Sequence, residues 1–141
     1  LGYAVVPDEW ADAYTRVNTP FAASELACRA GLAAIEDEEH VVRTVETTRE
    51  SRAYMQDTID AHVWESEGNF VLVDVGDASA VATEMQERGV IVRDCSSFGL
   101  PGCIRITCGT EAETERAVDT LNDVLADLDV ADDPDAEVAD P

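Results

Sequence analysis

Val90–Thr110, VIVRDCSSFGLPGCIRITCGT, decides how the rest of the chain is read. The apolar run Val90–Arg93 reads as a short strand, the Ser/Gly/Pro-rich stretch after it as a loop, and Cys103–Thr107 as a second strand. Within CIRIT, alternation places Ile104 and Ile106 on one face and Cys103, Arg105 and Thr107 on the other. Arg93 and Arg105 on paired strands could face one anion, each offering a planar fork that fits carboxylate or phosphate. The pattern also admits a plainer reading, in which Arg105 sits on the wet face of a half-exposed strand.

Working outward, Gly89 stands where a helix over Ala78–Arg88 needs a left-handed stop. Asn69–Val75 reads as a strand before that helix. Thr110 and Glu113 form a capping box that opens a helix to about Leu128, with Ala117, Leu121, Val124 and Leu128 on one side. The order strand–helix–strand–strand–helix predicts an α/β (α+β) sandwich, with helices covering one face of a small sheet. Upstream, Gly2–Val6 reads as a strand, and Pro7 suits the first turn of a helix to about Val17 in which Trp10 and Tyr14 fall at packing positions. Ser24 caps a helix with a small-residue face that includes Ala27, Ala30 and Gly31. Asp37 opens a longer helix carrying Val41, Val42, Val45, Met55 and Ile59 at helical spacing, with Arg43, Arg49 and Arg52 on its solvated side. From Ala131 the tail has acids and no base, and is expected to be disordered.

Composition limits the functions available. The 141 residues carry 31 acids against 9 bases, a formal net charge of −22. Nucleic acid and anionic membrane would be repelled by such a chain, and no apolar run approaches the roughly 20 residues that span a bilayer. All nine bases are arginine, and the chain contains no lysine. Strong acidity without lysine points to a cytoplasm of high salt, where screening removes self-repulsion. Cys28, Cys95, Cys103 and Cys108 form no C-x-x-C pair and His40 and His62 are the only histidines, which argues against a zinc site. Cys28 and Cys103 read as small buried hydrophobes.

The motifs also carry a family resemblance. GVIVRD (Gly89–Asp94), FGLP (Phe98–Pro101) and CIRITCGT (Cys103–Thr110) resemble the C-terminal part of histidinol-phosphate aminotransferase, a fold-type-I pyridoxal-phosphate enzyme. SEGNFVLVDV (Ser66–Val75) resembles the strand of that family that reads S-x-x-N-F-V-L. LGYAVV at the start and NTPFAASELACRAGLAAI (Asn18–Ile35) resemble the segments that follow its cofactor lysine. The resemblance runs from Leu1 to about Leu128 and is shared in part with sister aminotransferases and a phosphothreonine decarboxylase.

This resemblance implies a domain plan. Residues 1–36 are then a remnant of the large cofactor-binding domain, 37–60 an interdomain helix, 61–128 the small C-terminal domain and 129–141 an acidic tail. It implies pyridoxal 5'-phosphate as cofactor of the parent enzyme, histidinol phosphate and glutamate/2-oxoglutarate as substrates, and a homodimer, while the cysteine pattern and composition give the expectation of a cytoplasmic protein. Arg93 and Arg105 match the family's two small-domain arginines. Arg105 is expected on the α-carboxylate of the glutamate/2-oxoglutarate pair, and Arg93 on phosphate or the distal carboxylate. Asn69 resembles a family position and could equally cap backbone. The family's Schiff-base lysine lies in an S-K-x-x-G-L-x-G-L-R run upstream of L-G-Y, so the chain is expected to be a C-terminal piece cut just past it, inactive alone. The competing expectation is a freestanding, non-catalytic α/β module that binds a small anion or amino acid.

Overall fold

A computed structural model of the chain describes residues 2, 4–19 and 21–128. The chain divides into two compact units, Leu1–Val42 and Arg43–Pro141. The first holds α1 (Asp8–Val17), α2 (Glu25–Glu36) and the start of α3 (Glu38–Thr58). Helix starts follow local chemistry: Ser24 Oγ accepts from the Ala27 N–H at 3.2 Å, and Asp37 Oδ1 accepts from the His40 N–H at 3.0 Å.

Three expectations fail in this unit. The described residues of Gly2–Val6 form no strand, because a strand needs a neighbouring backbone to complete its hydrogen bonds and they pair with none among the described residues. Trp10 and Tyr14 stay 64% and 52% exposed rather than packing. Cys28, expected to be buried, is exposed. An apolar stripe at helical spacing says which side wants cover, not where the cover comes from.

The second unit contains β1 (His62–Val63), β2 (Phe70–Asp74), α4 (Ala78–Glu87), β3 (Arg93–Asp94), β4 (Cys103–Thr107) and α5 (Glu111–Asp127). The strands make one antiparallel sheet in the order β1-β2-β4-β3. Val71 and Val73 on β2 lie opposite Ile106 and Ile104 on β4, and all four are buried on one face. They join one core with Val81 and Met85 of α4, Val118, Leu121 and Leu125 of α5, and Met55 and Ile59 near the end of α3. The expected sandwich is therefore present. The rhythm of α3 turns out to be split, since Met55 and Ile59 are buried while Val41, Val42 and Val45 are at least 41% exposed.

The ends of the elements explain where the strands fall. Gly89 has φ +81°, its N–H donates to Gln86 O at 3.0 Å, and the Val90 N–H donates to Met85 O at 2.9 Å. This closes α4 with both bonds of a Schellman cap. Because Val90 is spent on the helix end, the expected strand Val90–Arg93 is displaced: only Arg93–Asp94 pair with β4, and Val90–Val92 run in unpaired. Strand β2 is likewise shorter than the expected Asn69–Val75. The two-residue β1 was not anticipated, being too short to show an alternation. The capping box forms as expected, with Thr110 Oγ1 accepting from the Glu113 N–H and the Glu113 carboxylate accepting from the Thr110 N–H at 2.9 Å. The expected tail, 129–141, lies outside the described residues.

Arg52, expected on the solvated side of α3, is instead tucked in. Its side chain is 15% exposed and Nη1 donates to Gly68 O at 2.7 Å. Elsewhere Arg88 bridges α4 and α5, reaching Asp127 at 2.6 Å and Glu84 at 2.9 Å. Nine arginines cannot neutralise 31 acids. Long-range repulsion should therefore fall as the Debye length shrinks from about 10 Å in 0.1 M salt to about 3 Å in 1 M. The expected result is a thermal midpoint that rises from dilute buffer to molar potassium chloride. A flat or falling midpoint would show that the acidic surface is not adapted to salt.

Candidate functional site

Antiparallel pairing sets Arg93 directly opposite Arg105. Residues paired in this way leave the sheet on the same side. That side is the outer one, away from the buried Ile104 and Ile106, so the face assigned to Arg105 by alternation is the observed one. On the other flank of β4, Leu72 lies opposite Arg105, and Phe70 opposite Thr107 is its diagonal neighbour. The Arg105 guanidinium carbon sits 5.2 Å from the centroid of the Phe70 ring. Arg93 is exposed and Arg105 half-buried, and the Arg105 Nε is buried with no hydrogen-bond partner among the described residues.

Among the described residues neither arginine makes an ion pair, whereas Arg29, Arg52 and Arg88 each do. Like charges directly opposite on a sheet cost about 0.2–1 kcal/mol, and an anion between them removes the repulsion. Asp94 and Glu113, which line a groove together with the two arginines, are committed elsewhere. Asp94 accepts from both the hydroxyl and the N–H of Ser96, and these bonds hold its carboxyl below the usual carboxylate range. Glu113 is held low in the same way by the N–H and hydroxyl of Thr110. A groove of about 820 Å³ runs along β3 and β4, lined by Arg93 and Arg105 and reaching Glu113 and Arg116 at the start of α5. The unpaired Val90–Val92 also line it.

Beside the arginines, the Cys95 N–H donates to Cys103 O at 3.0 Å, which continues the strand pairing by one rung. Both side chains are buried, as expected for Cys103. Burial pushes both thiols up, with the Arg105 charge acting the opposite way on Cys95. They therefore stay protonated near neutrality and add no negative charge to the site. Among the described residues no group of three His, Cys, Asp or Glu side chains could hold a metal ion.

The Asn69 carbonyl accepts from the Cys108 N–H at 2.9 Å, and its side chain makes no hydrogen bond among the described residues. Two residues escaped sequence reasoning. Phe70 could have been found, since alternation along FVLVD puts it on the face of Leu72, opposite β4. Arg52 could not, because a single arginine on an acidic helix has no signature of burial.

The fold is an α/β domain whose antiparallel sheet carries Arg93 and Arg105 side by side on its outer face. Residues 1–121 match the family model for aminotransferase class I and II, and the chain belongs to that family. It is 66% identical over 128 residues to a histidinol-phosphate aminotransferase of Haloarcula marismortui, covering 91% of this chain and 36% of that protein. It is 64% identical over 131 residues to the protein of that name from Haloferax volcanii, covering 93% of this chain and 36% of the relative. The chain thus spans about 36% of the length of these relatives. The fold is also that of the crystal structure of histidinol-phosphate aminotransferase from Sinorhizobium meliloti in complex with pyridoxal 5'-phosphate. That likeness has a TM-score of 0.71 at 25% identity, over 84% of this chain and 34% of that one.

Proposed function

We propose that the chain is the C-terminal portion of a pyridoxal-phosphate-dependent aminotransferase that passes an amino group between histidinol phosphate and 2-oxoglutarate in histidine biosynthesis. The observation that carries this reading is the facing pair Arg93–Arg105, without ion-pair partners among the described residues of a chain with 31 acids. One substrate brings a phosphate and the other two carboxylates, and a pair of guanidinium forks serves both. Arg105, internal to β4 and backed by β2, takes the α-carboxylate of glutamate or 2-oxoglutarate. Arg93, at the exposed sheet edge, takes the phosphate or the distal carboxylate. In this plan residues 1–36 belong with the large domain, 37–60 link the domains and 61–128 form the small domain. The whole enzyme works as a homodimer in a cytoplasm of high salt, in keeping with haloarchaeal relatives.

The cofactor, when bound, supplies the electron sink of transamination. No residue of this chain fits the bond that holds its aldehyde, because that needs a lysine amine and the chain has none. The contribution of this portion is to bind and orient the substrate's anionic groups. The chain supplied with pyridoxal phosphate, histidinol phosphate and 2-oxoglutarate is therefore expected to form no glutamate above the blank. The whole enzyme carrying it should do so readily. Turnover by the chain alone, or a whole enzyme indifferent to histidinol phosphate, would overturn the proposal.

A further inference from the structure

We propose that Phe70 is a positioning residue whose ring holds the Arg105 guanidinium in the orientation that receives the substrate carboxylate. The inference rests on the carboxylate role just proposed for Arg105. An arginine at a binding site must be held without being used up. A carboxylate partner would hold it but would occupy its N–H donors and cancel its charge. An aromatic face attracts a guanidinium through the ring quadrupole and does neither. With 31 acids in the chain, an acidic anchor was chemically at hand, yet the group over which Arg105 lies, at 5.2 Å, is a ring.

The ring is itself held. A Cβ added at Gly68 would lie 3.1 Å from Phe70 Cε1, so the aromatic edge lies close against the bare glycine. Ser66 Oγ donates to Phe70 O at 2.7 Å and accepts from the Gly68 N–H at 3.1 Å, which closes the turn around the ring. Arg52 ties the same turn to α3 through its bond to Gly68 O at 2.7 Å. The chain of contacts therefore runs from α3 through the Ser66–Phe70 turn to the guanidinium. Held this way, Arg105 gives up less side-chain freedom when the carboxylate arrives. Gly68 has no positive φ, so a side chain there would act through space, pressing the ring edge aside by a few tenths of an ångström.

The test uses single-turnover kinetics with glutamate on the whole enzyme, with Arg105→Lys as reference. Phe70→Leu should lower the apparent second-order constant about fivefold, mainly as weaker glutamate binding, with little change in the rate at saturation. Phe70→Tyr, which keeps the ring face, should stay within about twofold of the parent. Phe70→Leu placed on Arg105→Lys should cost far less than it does alone, because the orientation it protects is already lost. Gly68→Ala pushes the ring without removing it and should cost about two- to threefold, even if Phe70→Leu proves too unstable to assay. If Arg105→Lys impairs glutamate while Phe70→Leu and Gly68→Ala do not, the positioning role is wrong and the carboxylate role stands. If Arg105→Lys itself changes nothing, the carboxylate role fails first.

Discussion

Replacing Arg105 by lysine in the whole enzyme is expected to slow the glutamate half-reaction by about one to two decades. The substitution keeps the charge and removes the bidentate fork, and one charge-assisted contact is worth about 1.5–3 kcal/mol. Fold should be indifferent, because Arg105 lies on the outer face while its neighbours Ile104 and Ile106 face the core. Cofactor binding should be unchanged as well, since the chain holds no lysine for that purpose. Arg93→Lys should instead weaken the histidinol-phosphate half-reaction more, and single-turnover kinetics on each half-reaction would separate the two roles. An Arg105→Lys enzyme within about twofold of the parent in both half-reactions, a change under about 0.5 kcal/mol, would make Arg105 an ordinary strand residue.

Leu121→Ala should damage the fold of the second unit strongly, at about 2–5 kcal/mol. Leu121 is fully buried in α5 within the cluster that also holds Ile104, Val118 and Met85. Truncation removes its transfer energy and leaves a cavity that a sheet and three helix segments cannot easily close around. A urea unfolding midpoint measured in molar potassium chloride would report the loss. Leu26→Ala on α2 serves as the comparison, because Leu26 is 77% exposed and should shift the midpoint little. Equal shifts for the two would mean that the cluster around Leu121 is not the core.

The second unit was more legible than the first. Alternation in CIRIT, the capping box at Thr110 and the glycine stop at Gly89 are local signals, and each concerns bonds made within a few residues. The structure carries all of them. The start of β3 differs from expectation for a local reason, since the same glycine stop spends the Val90 N–H on Met85 O. The other differences fall where the outcome depends on distant groups. Trp10, Tyr14 and Cys28 were misjudged because periodicity marks an apolar side but cannot supply its cover. Arg52 was misplaced because its partner, Gly68 O, lies 16 residues away.

The site divides along the same line. By itself the sequence determined that Arg105 and Ile104 leave β4 on opposite faces, that no lysine is present, and that the motifs from Gly89 to Thr110 resemble an aminotransferase. All of these are properties of residue identity or of a period of two along one strand. Only the tertiary structure decided that Arg93 stands directly opposite Arg105, that no acid pairs with either among the described residues, and that Phe70 comes under the guanidinium. Register between strands is set by how the whole core closes, since a one-residue slip would turn Val71, Val73, Ile104 and Ile106 away from α4 and α5. The arginine pair inherits its geometry from that packing on the opposite face.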